Sequence, residues 1–233
     1  MGPATRFERV QRVAVDAIKA HALNLAQGSR RAQVYILTEY LWGEEGPEQA
    51  MLARSGGAEP PPWLGKLIAA QLADEHRHAR MFRDRIETLG ASPREAPPLV
   101  KAKLWWLDRA CAAYYAKFAA GPIVVMLAAA ARFEATGVRL FSRHVGVLEA
   151  SGADRELLEM LRSIVGDERR HARSCAAAAQ RLVAASEQAD FAELSERIAR
   201  IDRAFGITLA VRYWLLLAAL AVRDGITQKR GFV

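Results

Sequence analysis

Two stretches hold the residues most able to do chemistry. Residues 74–80 read "DEHRHAR" and residues 167–173 read "DERRHAR", so two heptapeptides 93 residues apart differ at one position. Each sets a glutamate three residues ahead of a histidine: Glu75 before His78, and Glu168 before His171. On a helix, residues three apart are neighbours on one face, so a carboxylate and an imidazole at this spacing can share a metal ion. One Glu-x-x-His arises easily by chance. Two copies in the same helical phase do not.

The faces that carry these residues are apolar. Around Glu75 lie Ile68, Gln71, Leu72, Ala79 and Phe82; around Glu168 lie Leu161, Ile164, Val165, Ala172 and Cys175. Two more acids interrupt apolar runs: Glu39 in "VYILTEYLW" and Glu134 in "VVMLAAAARFEATGVRLF". A lone buried carboxylate is costly and is normally neutral or paired. Four of them converging on two histidines call for cations, and two divalent ions would bring about +4 to meet their charge. The predicted ligands are Glu39, Glu75, His78, Glu134, Glu168 and His171, with no catalytic side chain beyond them. Glu39 precedes Glu75 by 36 residues and Glu134 precedes Glu168 by 34, which reads as two helical hairpins, each giving three ligands about a pseudo-twofold axis.

The elements that must position these side chains are helices. Alanine and leucine are abundant, β-branched runs are few, and segments of helical length are separated by Gly/Pro punctuation. The spacing predicts helices near 5–27, 29–54, 63–89, 99–119, 122–149, 154–185, 189–203 and 205–224, and no strand. The expected fold is all-α and a single domain over 1–233: a four-helix metal-binding core at 29–185, with accessory helices in 1–28 and 186–233 and a crossover helix between the hairpins.

The ligand order resembles that of the ferritin-like di-iron carboxylate superfamily, over about residues 29–185. Both motifs read Asp-Glu-x-Arg-His, as in bacterial multicomponent monooxygenases, and are similar to those of acyl-carrier desaturases. The resemblance implies two iron ions, with manganese or a mixed Mn/Fe pair as other loadings. It also implies that Asp74 and Asp167 each brace a ligand histidine, while Arg77 and Arg170 pair with those acids. Such outer groups fix the imidazole tautomer and tune the metal.

Other residues near the motifs have blander readings beside the functional one. Tyr35, one turn before Glu39, could pass an electron or bond a ligand, although core packing with a satisfied hydroxyl accounts for it. Gly43 and Gly137 could open a pocket for dioxygen or substrate, or allow close helix contact. Cys175, one turn past His171, could line the site or simply pack. His76 is expected in solvent, and His21 and His144 at a surface or interface.

Composition bounds the rest. Hydrophobic residues make up 52% of the 233, enough for a sizeable core. The net charge of +7 is mostly arginine. No basic run with interleaved aromatics appears, so nucleic acid is not the expected partner. "MGPATRFERVQRV" has charges where a signal peptide would be apolar. The apolar run 213–222 is ten residues long, too short to span a bilayer, so a transmembrane chain is not expected. Two cysteines, Cys111 and Cys175, suggest a reducing cytoplasm.

The function these features favour is dioxygen activation by a di-iron oxidoreductase: hydroxylation, N-oxygenation or desaturation of a small or carrier-bound organic substrate. Electrons are expected from a separate donor protein, since no reductase domain is evident. The added helices could shape a substrate cavity or a homodimer face. The competing class is a peroxide-handling protein resembling rubrerythrin or manganese catalase, although no Cys-x-x-Cys pair exists for a rubredoxin module. Iron storage in a hollow cage and tRNA hydroxylation fit less well.

Overall fold

The computed structural model describes residues 6–54, 60–93, 95 and 98–230. Among these the chain forms seven α-helices and one 3-10 turn, with no strand. They are α1 (Arg6–Ala26), α2 (Arg30–Arg54), α3 (Pro62–Thr88), α4 (Pro98–Ala112), α5 (Ile123–Ser151), α6 (Arg155–Leu182) and α7 (Gln188–Arg230).

The most extensive packing is α5 on α6, and α2 packs on α3. The α5–α6 turn shows how the sequence closes a hairpin. Gly152 takes the left-handed conformation at φ 64° and its N–H returns to Leu148 O at 2.8 Å. Asp154 then caps α6, accepting from Leu157 N at 3.0 Å. Arg85 of α3 pairs with Asp154 and, at 3.0 Å, with Glu156, tying the first turn of α6 to the first hairpin. The two hairpins meet where α3 packs on α6 and α2 on α5. This is the two-hairpin arrangement that the spacing of the acids anticipated.

The remaining helices form an outer layer. α1 packs mainly on α7 and also on α5 and α2; α4 packs on α7. The sequence predicted a break near residue 204, but α7 runs unbroken from Gln188 to Arg230. Gly206 lies there without a proline, and an isolated glycine costs a helix only about 1 kcal/mol. The opposite correction holds for α4, which ends at Ala112 where the pattern suggested 119.

This continuity alters the reading of the apolar run at 213–222. Among the described residues, one segment, Ala185–Gly225, contains an 18-residue window apolar enough to cross a membrane by length and composition. Ile207, Val211, Leu215 and Val222 of that helix are exposed, as are Phe7, Val10 and Val13 of α1. Arg212 and Tyr213 of the same helix turn inward and line a cavity.

Beneath the ionisable residues lies an aromatic cluster. Tyr40 packs edge-on to Phe141 at 5.0 Å between centroids and against Phe82 at 5.6 Å. The sequence reading put His144 at a surface or an interface; it is 5% exposed, inside the helix packing, with Nδ1 at 3.0 Å from the Tyr40 hydroxyl. Burial lowers its pKa to about 4, so it packs as a neutral ring. Phe82 is fully buried among these rings, and Phe82→Ala leaves a cavity. It should cost the metal-free fold about 3–5 kcal/mol in denaturant unfolding, with the slope unchanged.

Candidate metal centre

Two groups of donors converge at the interface of the hairpins. Glu44, Glu75, His78 and Glu168 form one; Glu75, Glu134, Glu168 and His171 form the other. Within each group the donor atoms lie within 4.8 Å of one another. Glu75 and Glu168 belong to both, so one carboxylate from each hairpin is common to the two groups. His78 is fully buried, and Glu44, Glu168 and His171 are each under 5% exposed.

Five of the six sequence-predicted ligands are thus brought together: Glu75, His78, Glu134, Glu168 and His171. Glu39 is not among them. Its carboxylate accepts from the Tyr35 hydroxyl and lies 3.7 Å from Arg212 of α7. Glu44 takes the α2 place. Five residues turn a helix by roughly 140°, so the two acids face different neighbours. The signal for Glu44 was its phase: it follows Leu37, Tyr40 and Leu41, all buried, by seven, four and three residues. Glu39 misled because α2 is apolar on two faces, one for the bundle and one for α7.

The histidines are oriented from outside the cluster, by exchange between the hairpins. His171 Nε2 lies 3.0 Å from Asp74 of α3, and His78 Nε2 lies 3.2 Å from Asp167 of α6. Each imidazole therefore presents Nδ1 to the cluster. The resemblance left open which acid serves which ring; each acid serves the histidine of the facing helix. Arg77 spans Asp74 and Asp167 at 2.5 Å each, and Arg170 spans Asp167 at 2.7 Å and Asp74 at 2.5 Å. A closed ring of two acids and two arginines results. Burial alone would raise the Asp74 pKa, but hydrogen bonds from His171, Arg77 and Arg170 bring it down to about 2. It stays an acceptor at any ordinary pH.

Inside the ring the balance reverses. Glu168 is pushed up to about 11 by burial and by Glu134 and Glu75; Glu134 is pushed up to about 7, mainly by burial. Glu44 is raised by burial, a proton shared with Glu75, and the neighbouring carboxylates. Glu75 is lowered: burial opposes this, but His171 and Glu44 outweigh it. Glu75 Oε1, Glu168 Oε1 and His171 Nδ1 are buried without a hydrogen bond, although His171 Nδ1 and Glu75 Oε1 face each other at 3.1 Å. Buried donor atoms aimed at one another, with no hydrogen bond, fit a cation between them. These buried Glu and His groups could hold metal ions.

The remaining sequence-predicted positions separate clearly. A Cβ on Gly137 would meet Glu168 Oε2 at 2.5 Å, so this glycine makes room for the Glu168 carboxylate. A Cβ on Gly43 would meet nothing within 4 Å, and both glycines line the cavity beside the cluster. Cys175 donates to Gln71 Oε1 at 3.1 Å, and Gln71 Nε2 donates to Glu134 at 2.6 Å. Cys175 thus packs and braces Glu134 through an amide. Tyr35 receives Arg212 at 3.0 Å and donates to Glu39, away from the cluster. His76 and His21 are exposed, and His21 Nδ1 accepts from Trp214 at 2.8 Å.

The cavity holds about 260 Å³. Glu39, Glu44, Glu75, Glu134 and Glu168 line it together with Ile68, Leu72, Leu127, Phe133 and Phe141, so the carboxylates open onto a largely apolar space. Comparison of the chain with protein-family models, curated proteins and solved structures gives no match.

Two outcomes follow from this geometry. Glu44→Ala should lower metal content by about half or more, while Glu39→Ala should leave it unchanged. Equal metal content in both variants by elemental analysis would return the α2 ligand to Glu39 or remove both. Metal binding must also strip protons, because carboxylates bind metal ionised. Glu168, Glu134 and Glu44 have folded pKa values raised above the unfolded range, so the stability they give is complete at low pH and is lost as pH rises toward those values. Between about pH 6.5 and 8, the metal-free Tm should fall and zinc binding should release protons. Calorimetry in buffers of different ionisation enthalpy reads the release directly; none would contradict the assignment.

Proposed function

We propose that the chain is a ferritin-like di-metal oxidoreductase. It would hold two iron ions and use dioxygen to oxidise an organic substrate by hydroxylation, N-oxygenation or desaturation. The observation that carries this reading is the pair of overlapping donor groups sharing Glu75 and Glu168 and opening onto an apolar cavity. The donors are carboxylate oxygens and imidazole nitrogens, a set suited to iron, with manganese or a mixed pair as alternatives.

A reduced metal pair supplies two electrons at one place, which is what dioxygen needs to be activated. In a monooxygenation one oxygen atom would enter the substrate and the other leave as water, consuming two protons and the two electrons of the reduced pair, which two electrons delivered to the protein would then restore. We assign their delivery to a separate donor protein. The chain's own part is positional. Asp74 and Asp167 hold both imidazoles with Nδ1 inward, and Gly137 leaves the space that Glu168 occupies. The apolar walls exclude water from the reacting centre. The cavity favours an organic substrate over peroxide or bulk Fe(II), neither of which needs an apolar chamber.

The test uses protein expressed with ample iron. We expect about two iron ions per chain. Chemically reduced protein should be reoxidised by dioxygen at least as fast as by an equal concentration of hydrogen peroxide. Much faster reoxidation by peroxide would move the protein to the peroxide-handling class. Uptake of many Fe(II) ions per chain, with elution as a large shell, would move it to storage. Fewer than about 0.5 metal ions per chain would sink the reading.

A further inference from the structure

The cavity has a second chemical character, and it comes from the outer layer of helices. The carboxylates in its wall belong to α2, α3, α5 and α6. The cations in its wall are Lys19 of α1, Lys103 of α4 and Arg212 of α7. Two of these have partners: Lys103 meets Asp202 at 2.6 Å, and Arg212 lies 3.7 Å from Glu39. Lys19 has no carboxylate within ion-pair distance among the described residues.

The surroundings of Lys19 do not supply the missing charge. Asp202 is already shared by Lys103, Arg132 at 2.8 Å and Arg139 at 3.7 Å. Arg143 takes Asp16. Five cations (Lys19, Lys103, Arg132, Arg139 and Arg143) thus stand around Asp202 and Asp16, while Glu39 is engaged by Tyr35 and Arg212. Burial, then Arg143 and Lys103, lower the Lys19 pKa to about 8, with Asp202 and Glu39 opposing from a distance. An ammonium in that setting, flanked by like charge and facing an apolar chamber, is stabilised by an anion that enters the chamber.

We propose that the cavity binds a monocarboxylic acid with an apolar body, its carboxylate paired with Lys19 and its hydrocarbon part directed along the apolar wall toward the metal centre. Apolar side chains such as Leu104, Leu140 and Leu209 line the space that would take the body. A single unpaired ammonium matches one negative charge, which favours a carboxylate over a phosphate dianion. Lys19 supplies the unpaired cation of the wall, and the Glu39 carboxylate in the same wall is already engaged by Tyr35 and Arg212, so the acid's charged end is directed to Lys19. That this ligand is the substrate rests on the di-metal reading above; that it binds does not.

The test is equilibrium binding of decanoate, 1-decanol and decylamine, below their micelle concentrations, to metal-free and zinc-loaded protein by calorimetry. Decanoate should bind at least about tenfold more tightly than decanol in both forms, and decylamine weakest. Lys19→Met keeps length and removes charge. It should reduce decanoate affinity about tenfold or more while leaving decanol unchanged, and Lys19→Arg should retain the preference. Decanol binding and the Tm of Lys19→Met report whether the cavity is intact. Decanoate binding no more tightly than decanol, or a loss of both ligands from a folded Lys19→Met protein, would overturn the proposal. Zinc content in the same samples reports on the metal centre separately, so failure of one reading is distinguishable from failure of the other.

Discussion

The structure is organised around the cost of placing Glu44, Glu75, Glu134 and Glu168 in one small, water-poor space. Like charges this close cannot all ionise without compensation. The chain answers with opposite chemistry at two radii. Close in, two imidazoles present nitrogen, the raised pKa values hold protons, and three donor atoms are left without hydrogen bonds. Further out, Asp74 and Asp167 are kept ionised by two arginines on the half-exposed rim. The inner zone is suited to accept cations because the outer zone settles the orientation of the rings.

That arrangement explains why the helices pack as they do. The hairpins must meet along α3 and α6, since the exchanged His–Asp contacts lie there, and the aromatic cluster of Tyr40, Phe82 and Phe141 fills the layer below. The glycine at 137 is a packing decision imposed by a carboxylate rather than by a neighbouring helix. The outer helices α1, α4 and α7 then close the apolar chamber and give it basic walls, a role no four-helix core could fill alone.

Much of this was legible from two heptapeptides. Glu-x-x-His at equal phase identified the inward faces of α3 and α6, and the gap between the helices predicted at 122–149 and 154–185 placed the hairpin bend. The misreadings of Glu39 and His144 share a physical cause: burial from a second side. Glu39 looked like a core acid because α7 covers the back of α2, and His144 looked superficial because nothing in its own helix announces Tyr40. The run 213–222 was judged by its uncharged length alone, whereas it continues, past Arg212 held by Tyr35 and near Glu39, into a longer helix that contains an apolar 18-residue window. Local periodicity reports which face is apolar. It does not report which neighbour makes it so.

The reciprocal anchoring of the histidines has a consequence for assembly. Asp74 and His171 are 97 residues apart, and Asp167 and His78 are 89 apart. Neither hairpin contains both a ligand ring and the acid that orients it. A hairpin alone lacks the acid on the Nε2 side of its imidazole, and in the first hairpin His78 would keep only the approach of its Nδ1 to Glu44 at 3.2 Å. Orientation of both rings is a single long-range event, belonging to the late, non-local stage of folding. Any excursion that parts α3 from α6 would release the two rings together, which makes the centre an all-or-none gauge of whether the hairpins are docked.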